Sequence, residues 1–215
     1  MNRALADEHL QIIRSLMERS ALYRRAVAPP LAVAGVAGIL AAAGGLAAGV
    51  REPRPFVDWW LSVAVLSAGA SLFVASRQAA HAREPFWSTP ARRVALTLGP
   101  ALALGALLGL AALPAGAPAA AVLNASPALV FLGLPAIWAG LYGCALFAAS
   151  YLLPRGLQSL GLGLVAAAAV LVVDGFPAAV PGWVGGHCVM GLCFGVGHLA
   201  CAAGMHAAER RAAVL

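Results

Sequence analysis

Six long apolar runs, separated by short polar or proline-rich breaks, dominate the pattern along this chain of 215 residues. The runs cover about residues 28–50, 57–80, 94–113, 129–153, 157–173 and 183–205. A helix rises about 1.5 Å per residue and a bilayer core is about 30 Å thick, so each run is long enough to cross a membrane, tilted or nearly upright. The pattern therefore predicts an all-α, polytopic membrane protein built as a bundle of six transmembrane helices.

The first 26 residues follow a different pattern, that of an amphipathic helix. On a helical projection Ile12, Leu16 and neighbouring apolar residues fall on one face, and Arg14 and Glu18 fall on the other. Such a helix suits the membrane interface. The predicted organisation is thus an interfacial, cytoplasmic helix over 1–26, a six-helix transmembrane domain over 27–206, and a cytoplasmic tail over 207–215.

Composition supports the membrane reading, and charge adds an orientation. The chain is 62% hydrophobic and only 10% charged, against about 25% charged residues in soluble domains. All fourteen basic residues are arginines, and only Arg51 and Arg54 lie in loops on the side opposite the termini. The positive-inside rule then places both termini in the cytoplasm. Because membrane topology explains the basic charge, we expect the lipid bilayer as a partner and no binding of nucleic acid.

Trp59 and Trp60 stand together at the start of the second run. Paired tryptophans at the end of a span are typical of the membrane–water interface, where the indole N–H meets headgroups. The sequence therefore predicts that both residues anchor the second helix at the interface.

Glycines recur at a spacing of four, which lets helix backbones approach closely. The pairs are Gly45/Gly49, Gly105/Gly109, Gly182/Gly186 and Gly191/Gly195. Close approach serves packing within one chain or between chains. The leading functional hypothesis is accordingly helix-mediated association, with a second copy of the chain or with a membrane protein partner.

The last run carries the candidate chemistry, because His187 and His198 both lie inside it. At 100° per residue they share one helix face, about 16 Å apart along the axis. Ionisable groups within a span are usually paired or functional. This polar face suggests, as an alternative, binding or transport of a small molecule or ion, or proton transfer. The competing interpretation is structural: each imidazole is hydrogen-bonded to a serine, a backbone carbonyl or water between helices.

Two carboxylates extend that hypothesis toward the outer surface. Asp58 follows the start of the second run, and Asp174 ends the fifth run, thirteen residues before His187. The hypothesis is that Asp58, Asp174 and His187 line a small outward-facing polar site, against the simpler alternative of three independent residues at helix ends.

Catalytic and metal signatures are not found in the sequence. The four cysteines, Cys144, Cys188, Cys193 and Cys201, form no C-x-x-C motif or zinc spacing, and packing between helices explains them. We therefore expect no catalytic residues, no metal site and no cofactor, and a non-enzymatic role is favoured. Imidazole does ligate haem and metals, so a haem- or metal-binding redox protein remains a second alternative.

Three stretches carry a resemblance to a known group of proteins. IRSLMERSALY (13–23), EPFWS (84–88) and GGHCVMGLCFGVGH (185–198) resemble a family of small bacterial inner-membrane proteins with the same order of segments. The resemblance covers most of the chain and implies a bacterial inner-membrane setting. The family has no established activity, so it implies no catalytic or binding residues.

Overall fold

The computed structural model describes residues 27–111, 127–151, 155–175 and 179–212. Within these ranges the regular secondary structure is entirely helical, and six helices are long and apolar enough to cross a membrane. The predicted all-α bundle of six spans is thereby confirmed. The predicted interfacial helix over 1–26 lies outside the described residues.

The six helices follow the six apolar runs closely. Four are uninterrupted: α1 (Ala28–Ala47), α2 (Pro53–His81), α3 (Thr89–Ala111) and α5 (Arg155–Val173). Two contain a π-helical segment, in which hydrogen bonds run from residue i to i+5. The first is α4, with Leu129–Gly133 in π geometry before Leu134–Ala149. The second is α6, which runs Gly182–Met190, Gly191–Val196 in π geometry, and Gly197–Ala212.

A tight turn joins α1 to α2, and the end of the bundle that holds this turn is called the upper end. Gly49 adopts φ +64°, a left-handed conformation that glycine reaches without strain. The N–H of Val50 then bonds back to the carbonyl of Gly45, and Pro53 starts α2 where its missing N–H is not needed. The turn leaves the carbonyl of Val50 free to meet a side chain from α6.

Small residues set how closely the helices pack. Where α4 crosses α5, a Cβ on Gly143 would lie 2.7 Å from the carbonyl oxygen of Gly161, and the converse distance is also 2.7 Å. Where α1 crosses α6, a Cβ on Gly38 would likewise lie 2.8 Å from the backbone nitrogen of Gly195. These contacts place backbone against backbone, the arrangement that small-residue spacing predicts in membranes.

Helices α2 and α3 carry many side chains that no other helix covers. Val65, Leu66 and Leu96 are more than 70% exposed, as expected for side chains that face lipid. Helix α3 packs mainly against α4, where the indole N–H of Trp138 donates to the carbonyl of Gly105 at 2.8 Å. Because α3 touches α2 only sparsely, a crevice opens between these two helices.

Candidate functional site: two buried histidines and an intramembrane cavity

His187 is fully buried at the upper end of α6, and protein groups meet both of its ring nitrogens. The indole N–H of Trp60 in α2 donates to Nδ1 at 3.2 Å. Nε2 lies 3.2 Å from the carbonyl oxygen of Val50 in the α1–α2 turn. One imidazole thereby joins α6 to α2 and to the turn between α1 and α2.

These contacts fix the protonation pattern of His187. An indole N–H can only donate, so Nδ1 must accept and carries no proton. A carbonyl can only accept, so Nε2 must carry the proton and donate it to Val50. His187 is therefore a neutral imidazole in a single tautomer, with its whole hydrogen-bonding capacity in use.

Aromatic rings close off the remaining sides of His187. Phe56 makes an edge contact with the imidazole at a centroid distance of 5.0 Å, and Trp183 makes another at 6.5 Å. Above Trp183, the guanidinium of Arg51 stacks 5.0 Å from the indole centroid. His187 is thus enclosed by the aromatic rings of Phe56, Trp60 and Trp183, and Arg51 covers Trp183.

The structure corrects the predicted role of the tryptophan pair. Trp60 is only 2% exposed and donates to His187, so the prediction that it anchors α2 among headgroups is wrong. The indole N–H of Trp59 likewise turns inward, donating to the carbonyl of Ala41 at 3.1 Å. Both residues tie α2 to its neighbours, because a partner inside the protein replaces the headgroup.

Among the described residues, neither carboxylate of the hypothesised outer polar site bonds to His187. Asp58 and Asp174 are both exposed, and the imidazole nitrogens meet only Trp60 and Val50. All three residues lie toward the end of the bundle that holds the α1–α2 turn and the start of α6. The hydrogen bonds of His187 reach neither carboxylate, and a joint role stays a prediction.

His198 lies deeper in α6 and has a different environment. It is 3% exposed, and its Nε2 lies 3.1 Å from the hydroxyl oxygen of Tyr142 in α4. The rings of Tyr142 and His198 stack nearly parallel, with an interplanar angle of 6° and centroids separated by 5.6 Å. Phe194 stacks beside both of them. Together these three residues form an aromatic cluster between α4 and α6.

The second ring nitrogen of His198 is buried without a hydrogen bond. His198 therefore keeps part of its polar capacity unused, in contrast to His187.

The π segment of α6 makes the two histidines face different helices. His187, Gly191, Gly195 and Leu199 pack in order against α1, a regular spacing of four residues. A 3.6-residue helix would drift by about 120° over those twelve residues, and the wider π segment absorbs the drift. His198, one position before Leu199, is thereby turned toward α4. The two histidines thus contact different helices, and a shared face of α6 stays a prediction.

A cavity of about 320 Å³ lies beside His198, within the span of the bundle. Its walls come from α2 and α3, and its floor from α1, α4 and α6. Its lining is mostly apolar, and the polar side chains there include Ser67, Ser71, Tyr142 and His198. The hydroxyl of Ser71 donates to the carbonyl of Pro30 at 3.1 Å. The volume falls at the lower end of the range for small-molecule sites, about 300–1,000 Å³.

The described residues contain no group of three or more His, Cys, Asp and Glu side chains that could hold a metal ion. The cysteines among them are free, and three of the four are half-buried between helices. The donor set around His187 is also complete, since both nitrogens are bonded. These observations concern only protein donors in the described ranges.

Sequence reasoning found His187 and His198 but missed Trp60 and Tyr142 as their partners. From the sequence, the expected partners of the two histidines were His, Asp, Glu, Ser and backbone groups, and aromatic side chains were not considered. The sequence did contain a signal, because a tyrosine or tryptophan inside an apolar run needs a partner for its polar atom.

Comparison with protein-family models, curated proteins and solved structures finds no match.

Proposed function

We propose that this multi-pass membrane protein binds a small, uncharged, apolar molecule that it takes up from the bilayer. The observation that carries the proposal is the cavity between α2 and α3. Its walls are apolar, it lies between helices long and apolar enough to cross a membrane, and no arginine, aspartate or glutamate among the described residues lines it. A charged ligand would have no counter-ion there, whereas a lipid-soluble one would enter sideways.

The expected path of entry is the crevice between α2 and α3. Ala64 and Ser67 face it from α2, and Ala101 and Leu102 face it from α3. Because these two helices barely touch, a molecule dissolved in lipid reaches the cavity without crossing a closed helix contact.

The test uses quenching of tryptophan fluorescence in lipid nanodiscs by 1,10-dibromodecane. Trp60 and Trp138 line the cavity, so a bound bromoalkane should quench them in a saturable way, above the linear quenching caused by collisions in lipid. Ala101→Phe, which fills the cavity from α3, should abolish the saturable part. Ala103→Phe is the matched control, because Ala103 is exposed on the same helix and does not line the cavity.

Two outcomes would refute the proposal. Quenching of the native protein that stays linear at all concentrations would mean that the cavity holds no ligand. Equal saturable quenching in the native protein and in Ala101→Phe would mean that the ligand binds elsewhere.

The setting we propose is the bacterial inner membrane, with both termini in the cytoplasm. An even number of spans supports a common side for the two termini. The arginine distribution supports the cytoplasm as that side, since only Arg51 and Arg54 flank the opposite end of the bundle. The resemblance noted above supports the bacterial setting.

Association with a second chain has less support than ligand binding. Gly186 approaches the carbonyl of Phe131, and Gly191 and Gly195 approach α1, so these glycines are occupied within the one chain. Gly105 and Gly109 are covered by Trp138. The spacing that motivated the association hypothesis is therefore explained by intramolecular packing.

A further inference from the structure

We propose that the segment joining α2 to α3 binds the phosphate headgroup of an anionic phospholipid. This segment, called the basic loop, covers residues 77–93 at the lower end of the bundle, opposite the α1–α2 turn. It combines four arginines with an exposed aromatic pair. None of its residues lines the cavity, so this site is separate from the one proposed above.

The basic loop carries positive charge that the described part of the chain does not neutralise. It holds four arginines against one carboxylate, that of Glu84, which gives a formal charge of +3. All four arginines are exposed, and within the described residues no salt bridge reaches any of them. Residues 1–26 hold five arginines and three carboxylates, so they bring no surplus of negative charge. The four are Arg77, Arg83, Arg92 and Arg93.

The arginines lie near the depth of lipid phosphates. Helix α2 has 29 residues and is thus about 43 Å long, against roughly 30 Å for a hydrocarbon core. Arg77 lies four residues before the end of α2, and Arg92 and Arg93 lie within four residues of the start of α3. Each is therefore within about 6 Å of the loop along its helix axis. Because arginine side chains extend toward the membrane surface, all of these guanidinium groups can reach the headgroup layer.

Phe86 and Trp87 lie exposed between the arginines of α2 and those of α3. Their rings stack with centroids 5.9 Å apart, and Trp87 is 57% exposed. In contrast to Trp59 and Trp60, the indole N–H of Trp87 has no partner among the described residues. Exposed aromatic rings of this kind are typical of the membrane–water interface. The pair therefore favours a phospholipid over a soluble anion as the ligand.

The backbone at Arg83 holds an arginine where glycine would fit with less strain. Its φ is +55°, in the left-handed region that most L residues avoid. The N–H of Arg83 bonds to the carbonyl of Ala80, and the N–H of Glu84 bonds to the carbonyl of Ala79. This is the common arrangement for ending a helix on a left-handed residue, most often glycine. Helix termination alone thus favours glycine, and a phosphate ligand explains the guanidinium.

The chemistry of guanidinium narrows the ligand to lipids with a net negative charge. Guanidinium presents paired N–H groups that match the oxygens of a phosphate, and it stays protonated at all physiological pH values. A cluster of arginines attracts phosphatidylglycerol through its uncompensated phosphate. Phosphatidylcholine is attracted less, because its choline group brings positive charge close to the same arginines.

The experiment measures quenching of Trp87 fluorescence in nanodiscs by phospholipids that are brominated near the headgroup end of one acyl chain. Phosphatidylglycerol and phosphatidylcholine with the same brominated chain are compared at equal mole fractions. Trp87→Phe gives the signal of the other four tryptophans, which is subtracted. One arginine near a membrane surface changes affinity about fivefold. We therefore expect Trp87 to favour the brominated phosphatidylglycerol about tenfold at low salt, and less as salt screens the charges.

The double variant Arg92→Gln/Arg93→Gln should lower this preference about fivefold or more. Arg210→Gln/Arg211→Gln is the matched control, because it removes the same charge from exposed positions at the lower end of α6. It should change the preference by less than about twofold, since these arginines lie outside the basic loop. Arg83→Gly should lower the preference about fivefold and leave resistance to unfolding by SDS equal or higher, because glycine relieves the left-handed backbone.

Three outcomes would count against the proposal. Equal quenching of Trp87 by the two lipids would overturn it and leave an acidic protein surface as the occupant of the basic loop. An equal loss of preference in the Arg210→Gln/Arg211→Gln variant would also overturn it, since the charge of the whole lower end would then attract the lipid. Full preference in Arg83→Gly would overturn the assignment of Arg83 to the site.

Discussion

Replacing His187 by phenylalanine tests whether the buried imidazole holds three parts of the bundle together. Phenylalanine preserves the ring and its contacts with Phe56 and Trp183 but removes both hydrogen-bonding nitrogens. The N–H of Trp60 and the carbonyl of Val50 would then be left without their present partner. The substitution thus isolates the polar contribution from the packing contribution.

The magnitude follows from two bonds and two orphaned groups. Hydrogen bonds between helices in membranes contribute about 0.6 kcal/mol each, with values up to about 1.7 kcal/mol. Each buried polar group left unpaired costs about 1–3 kcal/mol when water cannot reach it, and this cost includes the lost bond. Since two groups lose their partner, we expect His187→Phe to lower the free energy of unfolding by about 2–6 kcal/mol.

The assay is reversible unfolding in mixed micelles, with the detergent SDS as denaturant and tryptophan fluorescence or circular dichroism as the readout. Trp60→Phe, which removes one of the two bonds, should cost about half as much as His187→Phe. The double variant should be non-additive, since Trp60 and His187 share a bond. His81→Phe is the control, because His81 is exposed at the end of α2 and should change stability by less than about 0.5 kcal/mol.

The reasoning is refuted if His187→Phe unfolds at the same SDS fraction as the native protein. It is also refuted if the Trp60 and His187 substitutions add without any coupling. Either result would mean that the two hydrogen bonds contribute nothing beyond the packing of the rings.

Two further predictions concern helix packing and orientation. Gly161→Ala should destabilise the protein by about 1–3 kcal/mol in the same assay, because its Cβ would lie 2.7 Å from the carbonyl oxygen of Gly143. Gly204→Ala is the control, since a Cβ there meets open space, and it should be neutral or slightly stabilising. Equal effects of the two substitutions would contradict the close crossing of α4 and α5. For orientation, a membrane-impermeant thiol reagent should label Glu52→Cys in intact spheroplasts but label Ala82→Cys only after lysis, and the reverse pattern would overturn the arginine-based topology.

The helices were accessible from sequence because the bilayer imposes a simple rule on length and polarity. Each of the six apolar runs became a helix, since backbone polar groups in hydrocarbon must bond within the segment. The helix ends were predicted less well, because the second apolar run begins near residue 57 whereas α2 already begins at Pro53, where the missing N–H of proline is not needed. These features depend on residues close together in the chain.

The contacts of the site were not accessible in the same way. Trp60 and His187 are 127 residues apart, and Tyr142 and His198 are 56 apart. Which residues meet depends on how α6 is rotated, and the π segment changes that rotation. The sequence GLCFGV does not identify a π segment, so a regular 3.6-residue period could not predict that His187 meets α2 and His198 meets α4.

The two histidine sites differ in the hydrogen-bonding capacity that remains for a ligand, because each histidine meets a different kind of aromatic residue. A tryptophan only donates, so Trp60 fixes the tautomer of His187, and Val50 then completes its bonding; nothing is left for a ligand. A tyrosine both donates and accepts, so Tyr142 can satisfy Nε2 of His198 and still offer a lone pair to a third group. Burial alone does not distinguish the two sites, since both imidazoles are nearly inaccessible. The cavity lies beside the pair with capacity to spare, and this coincidence makes His198, rather than His187, the histidine to associate with binding.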